Sequence, residues 1–179
     1  SLLTSLIASR ELVKHPGATI IHSLISSRTV VEVIKELGGV PVRSRVGHSY
    51  IKALMAETGA VFGGEHSGHF YFKDFWRADS GALAALHALG ALGESDQTIS
   101  QLLAPFKRYV ASGEVNSKVA DSASVIKAVR EKYVALSEFE IDELDGLTVS
   151  TTTWWFNVRA SNTEPLLRLN VEADTAANM

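Results

Sequence analysis

The sequence predicts two domains of different fold class: an α/β three-layer domain with a mixed, largely parallel sheet, followed by a smaller α+β domain with an antiparallel sheet. Residues 1–107 alternate short apolar runs of strand length with segments of helical periodicity, which is typical of α/β proteins. Residues 113–179 contain one helical segment among several strand-like runs, which favours an α+β domain. We place the domain boundary where the pattern changes, at residues 107–112.

The first domain is predicted to consist of short strands joined by helices. Its expected elements are helix 1–14, strand 18–22, helix 29–37, strand 40–43, helix 50–57, strand 60–62, helix 81–92 and helix 98–106. Gly38 and Gly39 follow the second helix, and glycine is common just after a helix C-terminus. A strand, a helix and a strand in so few residues form a βαβ unit, so the first two strands should be parallel neighbours.

The second domain is predicted to be an antiparallel sheet with one helix. Its expected elements are strand 115–119, helix 122–133 and strands 138–145, 147–151, 154–159 and 166–171. Asp145 and Gly146 form a hairpin-turn signal, and the last strands should form a meander. The segment Ala173–Met179 has the pattern of a beginning helix, and we expect both ends of the chain to be cuts through a longer protein.

The composition argues against several classes of protein. Of the 179 residues, 46% are hydrophobic and 21% are charged, and the formal net charge is −3. Because nucleic-acid-binding domains normally carry a basic patch, we expect no nucleic-acid partner. The chain has no cysteine, which excludes a disulfide framework and a thiolate metal site. The most apolar run, Gly81–Gly93, is too short to span a bilayer, so we expect a cytoplasmic protein without a membrane partner.

The segment Gly63–His69 is the first candidate site. It places a carboxylate, two imidazoles and a hydroxyl on a glycine-rich turn between two apolar strand-like runs. Glu65 can accept hydrogen bonds from paired hydroxyl groups, and Ser67 can donate or accept one. The imidazole of His69 suits proton transfer. The alternative is an ordinary hairpin loop with solvated side chains.

The residues Glu65, His66 and His69 also suggest a metal-dependent hydrolase. Their spacing superficially resembles the His-Glu-x-x-His motif of zinc peptidases, in which a helix brings both imidazoles to one face. The order of residues differs here, and the glycines of this segment argue against a helix. We therefore expect no metal site in this chain, and the hydrolase remains the alternative from a different class of protein.

The segment Arg43–Ser49, which precedes a predicted helix, is the second candidate site. His48 is placed to reach an anion beside the amides of the helix N-terminus. Alternatively, Ser49 is a plain N-cap and His48 an exposed neighbour. Since ligands of open α/β sheets bind outside the carboxyl ends of the strands, this segment and Gly63–His69 should share one crevice.

The segment Arg159–Pro165, between two apolar strands, is the third candidate site. Arginine suits bidentate phosphate binding, and hydroxyl groups with the backbone amides of a tight turn complete an anion site. The alternative is a polar hairpin turn without a ligand, because serine, asparagine and threonine are common turn residues.

Together these three segments resemble motifs of the α-D-phosphohexomutase superfamily. Gly64–His69 resembles its sugar-binding Gly-Glu-x-Ser-Gly-His loop, Gly47–Ser49 its Gly-His-Ser segment, and Arg159–Pro165 the phosphate-binding loop of its fourth domain. The order and separation of the motifs also match, over nearly the whole chain. The chain is therefore similar to the C-terminal half, domains 3 and 4, of the bacterial phosphomannomutase/phosphoglucomutase family.

The resemblance implies a reaction and a role for each segment. Members of the superfamily interconvert hexose 1-phosphates and hexose 6-phosphates through a phosphoserine enzyme and a hexose 1,6-bisphosphate intermediate, with Mg²⁺ bound by another domain. Glu65 and Ser67 would bind sugar hydroxyls, His69 would contribute to proton transfer, and His48 would lie beside the phosphoryl group. Four residues would hold the phosphate that does not react: Arg159, Ser161, Asn162 and Thr163.

Several departures from the superfamily pattern limit what the resemblance implies. No segment here resembles its serine loop or its Asp-x-Asp-x-Asp-Arg magnesium loop, so we expect hexose phosphates and the missing N-terminal domains as partners, and no mutase activity from this chain alone. A basic phosphate contact common after the first strand is absent from Leu24–Ser27, with Arg28 only nearby. Asn162 favours mannose or glucose as the sugar, but His66 leaves a phosphoglucosamine mutase as an alternative. A non-catalytic sugar-phosphate binding module is a further alternative.

Overall fold

The computed structural model of the chain describes residues 1–136, 138–161 and 164–179. It divides into two compact units, Ser1–Arg108 and Tyr109–Met179. The expected fold class is confirmed, since a mixed sheet with helices on both faces is followed by an antiparallel sheet with one helix. Within the described ranges, no helix is long and apolar enough to cross a membrane.

The first unit is a five-stranded sheet enclosed by helices. Its elements are α1 (Leu2–Lys14), β1 (Thr19–Ser23), α2 (Arg28–Glu36), β2 (Val40–Ser44), α3 (His48–Thr58), β3 (Phe62–Gly64), β4 (Phe70–Phe72), β5 (Ala78–Asp79), α4 (Gly81–Gly93) and α5 (Ile99–Leu103). The strand order is β2-β1-β3-β4-β5. The central β1 pairs in parallel with β2 and β3, whereas β3, β4 and β5 are antiparallel neighbours.

Alternating side chains of the strands divide the core of the first unit into two layers. On one face, Ile20, Phe62 and Phe70 pack with apolar residues of α1 and α2. On the other face, Ile21 and Tyr71 pack with residues of α3. Because successive side chains of a strand point to opposite faces, β1 and β4 each contribute to both layers. The result is the predicted three-layer arrangement.

Three boundaries in the first unit differ from the sequence prediction. Strand β3 covers Phe62–Gly64 rather than 60–62, so two glycines assigned to the loop belong to the strand. A Cβ on Gly64 would collide with the Thr4 side chain of α1, so glycine is needed there for close packing. Helix α3 begins at His48 with Gly47 as its N-cap, so the Ser49 N-cap alternative is wrong. The predicted helix 98–106 is α5 followed by a 3₁₀ turn that contains Pro105, which cannot continue an α-helix.

The second unit is a five-stranded antiparallel sheet covered on one face by a single helix. Its elements are β6 (Val110–Lys118), α6 (Ser122–Val134), β7 (Glu140–Asp142), β8 (Leu147–Ser150), β9 (Trp154–Ala160) and β10 (Leu166–Ala173), and the strand order is β6-β10-β9-β8-β7. Asp121 caps α6 by accepting two backbone N–H groups. The predicted meander is confirmed. The residues after Ala173 form turns, so no helix begins there as had been expected.

Candidate functional site

The first candidate site lies at the carboxyl edge of the parallel strands. Strands β2 and β3 flank β1 on opposite sides, which makes the end of β1 a topological switch point. Ligands of open α/β sheets bind at such points. The backbone N–H of His66, just after β3, donates to Ser23 Oγ at the end of β1, so the β3–β4 turn is attached to this edge.

The β3–β4 turn is held by its own backbone. The N–H of Glu65 donates to the carbonyl of His69 at 2.9 Å, and the N–H of Gly68 donates to the carbonyl of Glu65 at 3.2 Å. Gly68 has a φ of +90°, a region that favours glycine. This geometry fixes Glu65 and His69 opposite each other at the base of the turn.

Glu65 is buried and held in a fixed orientation. Only 3% of the residue is exposed. Its Oε1 accepts the backbone N–H of Gly47 at 3.1 Å, and its Oε2 accepts the hydroxyl of Tyr71 at 2.7 Å. Burial and the Glu65 carboxylate raise the pKa of Tyr71 well above its ordinary value, so this phenol remains a donor. Each carboxylate oxygen has a second lone pair, so Glu65 retains the capacity to accept a ligand hydroxyl.

Two histidines complete this site. His69, in the β3–β4 turn, places Nδ1 3.7 Å from Glu65 Oε2 and 3.0 Å from the exposed Ser67 Oγ. The exposed His48, the first residue of α3, places its ring centroid 4.5 Å from that of His69. The loops before α3 and after β3 are therefore adjacent, in agreement with their predicted placement at the same edge of the sheet. One ligand atom each from His48, Glu65 and His69 lies within 4.8 Å of the others.

His66 does not belong to this cluster. Its ring Nδ1 lies 3.4 Å from Ser1 Oγ, and it is not among the residues whose possible metal-ligating atoms meet. The triad Glu65, His66 and His69 of the hydrolase alternative is therefore not assembled. The reason is local structure, because the segment is a turn between strands rather than a helix that would bring positions three apart to one face.

The segment directly after β1, Leu24–Ser27, contains no basic side chain. Leu24 and Ile25 are buried, and Ser23 Oγ and Ser26 Oγ lie within hydrogen-bonding distance of each other at 3.0 Å. Arg28, the nearest basic residue, is the first residue of α2.

The third candidate site lies at the β9–β10 hairpin of the second unit. The backbone N–H of Ser161 donates to the carbonyl of Leu166 at 2.8 Å, and the N–H of Glu164 donates to Ser161 Oγ at 3.3 Å. Ser161 therefore shapes the hairpin with both its backbone and its side chain. Asn162 and Thr163, which complete the predicted phosphate loop, lie outside the described residues.

Arg159 is a buried cation beside this hairpin. Only 5% of the residue is exposed, and its guanidinium lies 3.5 Å from Glu114 Oε2. Arg168, the cross-strand neighbour of Arg159, lies 3.3 Å from Glu114 Oε1 and also pairs with Glu164. Among the described residues, no acceptor satisfies the buried Nε of Arg159. A buried guanidinium with an unsatisfied donor is a suitable partner for an anion.

The sequence did not reveal the residues that hold the side chains of Glu65 and Arg159 in place. Tyr71 and the Gly47 amide bind Glu65, and Glu114 pairs with both arginines. Tyr71 lies in the apolar run after the turn, and only its hydroxyl, which needs a partner when buried, indicates a polar role.

The chain thus combines two units: an α/β unit with a turn containing Glu65 and His69 at the carboxyl edge of its sheet, and an α+β unit with Arg159 beside a hairpin. The chain belongs to the phosphoglucomutase/phosphomannomutase family. Residues 3–109 match the family's alpha/beta/alpha domain III, and residues 114–179 match its C-terminal domain. The resemblance seen in the sequence is thereby confirmed.

Curated relatives and solved structures agree with this assignment. The chain is 41% identical over 178 residues to a phosphomannomutase of Methanocaldococcus jannaschii, covering 99% of this chain and 39% of the relative. It is 40% identical over 172 residues to a phosphomannomutase of Escherichia coli K12, covering 96% and 38%. A solved family protein from Burkholderia thailandensis superposes with a TM-score of 0.86 at 31% identity, covering 99% and 38%. The chain thus spans about two fifths of the length of these relatives.

Proposed function

We propose that this chain supplies the sugar- and phosphate-binding loops of a phosphohexomutase that interconverts the 1-phosphate and 6-phosphate of mannose, glucose or both. The observation that carries the proposal is the Glu65 site, where a buried, oriented carboxylate lies beside two imidazoles at a switch point of the sheet. Relatives named phosphomannomutase, at about 40% identity, support the same reaction class.

In this proposal each side chain has a distinct role toward a hexose phosphate. Glu65 accepts hydrogen bonds from sugar hydroxyls with the lone pairs that Gly47 and Tyr71 leave unused, and Ser67 adds a further donor or acceptor. His69 holds or moves a proton at the reacting oxygen, and His48 contributes beside the phosphoryl group. Phosphoryl transfer depends mainly on positioning and charge stabilisation, which these fixed groups can supply.

The second unit contributes the anion contact. Arg159 is proposed to bind the phosphate that does not react, together with Ser161 and with Asn162 and Thr163. Its guanidinium is already desolvated and held by Glu114, so little reorganisation is needed when a phosphate arrives. A planar guanidinium also matches two phosphate oxygens at once.

The superfamily's Mg²⁺ does not fit the ligands found here. Mg²⁺ prefers six oxygen ligands in octahedral geometry, whereas the candidate ligand group among the described residues contains two imidazoles and one carboxylate. No step is therefore derived through Mg²⁺. The proposal assigns that ion, the phosphoserine and the bisphosphorylated intermediate to the complete cytoplasmic enzyme and its N-terminal domains.

The proposal is tested by titrating the chain with glucose 1-phosphate and mannose 1-phosphate and following backbone amide shifts by NMR. Shifts should cluster at residues 45–48, 64–69 and 159–161, and Glu65→Gln should weaken binding more than about tenfold because a hydrogen bond to a charged acceptor is lost. Lys52→Gln, a change at an exposed residue of α3, is the matched control and should bind as the unaltered chain does. Saturable binding that is unchanged in Glu65→Gln would contradict the sugar site.

A coupled mutase assay on the same samples tests the second part of the proposal. The chain alone is expected to bind hexose phosphates without turnover, because no segment of it resembles the serine or magnesium loop. Robust turnover by the purified chain would show that its own residues contain a complete catalytic apparatus, and would overturn this part.

A further inference from the structure

The cluster at the β3–β4 turn has the donor atoms of a transition-metal site. One ligand atom from each of His48, Glu65 and His69 lies within 4.8 Å of the others, and Glu65 Oε2 is 3.7 Å from His69 Nδ1. In a tetrahedral zinc site with bonds of about 2.0–2.1 Å, neighbouring ligand atoms lie roughly 3.4 Å apart. His48 is exposed and the side chain of His69 is 41% exposed, so both imidazoles lie at the surface beside the buried carboxylate.

The carboxylate ligand is already oriented by hydrogen bonds from outside the cluster. The Gly47 amide and the Tyr71 hydroxyl each bind one oxygen of Glu65. In metal sites, such outer partners fix the orientation of the ligating carboxylates. The cluster is therefore more than three polar residues that happen to be near each other. Ser67 Oγ lies 3.0 Å from His69 Nδ1, the nitrogen that faces Glu65, so a metal bound at Nδ1 would replace this contact.

The donor set selects the class of metal. Two imidazoles and one carboxylate form the same set that holds zinc in many catalytic sites, with a fourth position left for water. Imidazole also suits Co²⁺ and Ni²⁺, whereas Mg²⁺ prefers oxygen ligands alone. The field of α3 opposes a cation, because His48 is at the helix N-terminus, where a positive charge is disfavoured. The negative charge of the buried Glu65 acts in the opposite direction, so a reversible site is expected.

We propose that His48, Glu65 and His69 bind one divalent transition-metal ion of the zinc type, and that this ion excludes a sugar phosphate from the same residues. The metal site stands on the geometry of the cluster alone. The competition with sugar phosphate rests on the proposed function.

The test is a calorimetric titration of the full 179-residue chain with ZnCl₂ at neutral pH, with any affinity tag removed. One zinc ion per chain is expected, and MgCl₂ should give no saturable heat. His48→Ala and His69→Ala should each weaken zinc binding more than about tenfold, since even loss of a second-shell partner costs 10–100-fold. His66→Ala is the matched control from the same turn and should bind zinc as the unaltered chain does.

A spectroscopic measurement separates a built site from adventitious binding to exposed histidines. Co²⁺ bound by three protein ligands and water should give the intense visible absorption of a four-coordinate ion, and this absorption should disappear in Glu65→Gln while circular dichroism shows an intact fold. Absence of stoichiometric zinc binding, or equal affinity in the His48→Ala, His69→Ala and His66→Ala variants, would overturn the metal site.

The competition is measured by repeating the zinc titration with saturating glucose 1-phosphate. A weaker apparent zinc affinity is expected. Zinc binding that is unaffected by a sugar phosphate shown by NMR to bind would overturn the competition but leave the metal site standing. Failure of zinc binding in a chain whose sugar-phosphate binding still depends on Glu65 would overturn the metal site and leave the proposed function standing.

Discussion

The hydrogen bond between Tyr71 and Glu65 is the contact on which the geometry of the first site depends most. Tyr71 is fully buried, and its hydroxyl lies 2.7 Å from Glu65 Oε2. In Tyr71→Phe the ring keeps its packing against Ile21 and Met55, so no large cavity forms. What is lost is one hydrogen bond to a buried carboxylate, which is worth about 1.5–3 kcal/mol. We expect the free energy of unfolding of the first unit to fall by that amount.

Native-state hydrogen exchange is the suitable assay, because it reports the unfolding of each unit separately. The slowest amides of β1 and β3 give the free energy of opening of the first unit. The matched control is Tyr50→Phe, which removes a hydroxyl from an exposed tyrosine whose ring faces Arg45. This change should cost less than about 0.5 kcal/mol. If Tyr71→Phe and Tyr50→Phe lower the free energy of opening by the same amount, the Tyr71–Glu65 hydrogen bond does not stabilise the first unit.

Two further predictions concern stability. Burial lowers the pKa of His22 to about 4, whereas an unfolded histidine titrates near 6.5. Between these two pH values the unfolded state therefore binds more protons than the folded state. The free energy of unfolding should fall by roughly 3 kcal/mol as the pH drops from 6.5 to 4. An NMR titration of the His22 ring with a midpoint near 6.5 would contradict this. Gly146→Ala should destabilise the second unit by more than Gly113→Ala, because both have a φ near +70° but only a Cβ at Gly146 would collide with the Val158 carbonyl oxygen. Urea denaturation should show a cost of about 1–2 kcal/mol for Gly113→Ala and a larger one for Gly146→Ala, and equal costs would refute the collision.

The fold class could be predicted from the sequence because helices and strands differ in the spacing of their hydrophobic residues. Short apolar runs separated by helical segments predicted the parallel β1 and β2, and the Asp145-Gly146 turn signal between strand-like runs predicted the meander. The boundary of β3 was misplaced because its two glycines carry a turn signal. Their actual role, to let α1 and α3 approach the strand, is a tertiary packing effect that local sequence does not contain.

The residue types of the candidate site could be predicted from the sequence, but its hydrogen bonds and ion pairs could not. The placement of Glu65 and His69 on one turn, close to His48, follows from the order of strands and loops. The hydrogen bonds of Glu65 with Tyr71 and Gly47 could not be predicted, because those partners come from other elements of the sheet edge. In the same way, nothing in the sequence connects Glu114 to Arg159, because the two residues meet only across β10, which pairs with β6 on one side and with β9 on the other.

We propose that this chain binds hexose phosphates and that Arg159 supplies the phosphate contact. The most direct test is calorimetric titration of the chain with glucose 1-phosphate or mannose 1-phosphate, compared with Arg159→Ala and Arg159→Lys. Arg130→Ala is the control, since Arg130 is an exposed arginine of α6 that pairs with Glu143. Circular dichroism of each variant establishes that it is folded.

Saturable binding is expected for the chain and for Arg130→Ala. A loss of at least about 30-fold is expected for Arg159→Ala, corresponding to ~2 kcal/mol for truncating a buried charged partner. Arg159→Lys should recover only part of the affinity, because lysine keeps the charge but not the planar fork. Binding of equal strength in a folded Arg159→Ala variant would contradict the assignment of Arg159 as the phosphate contact.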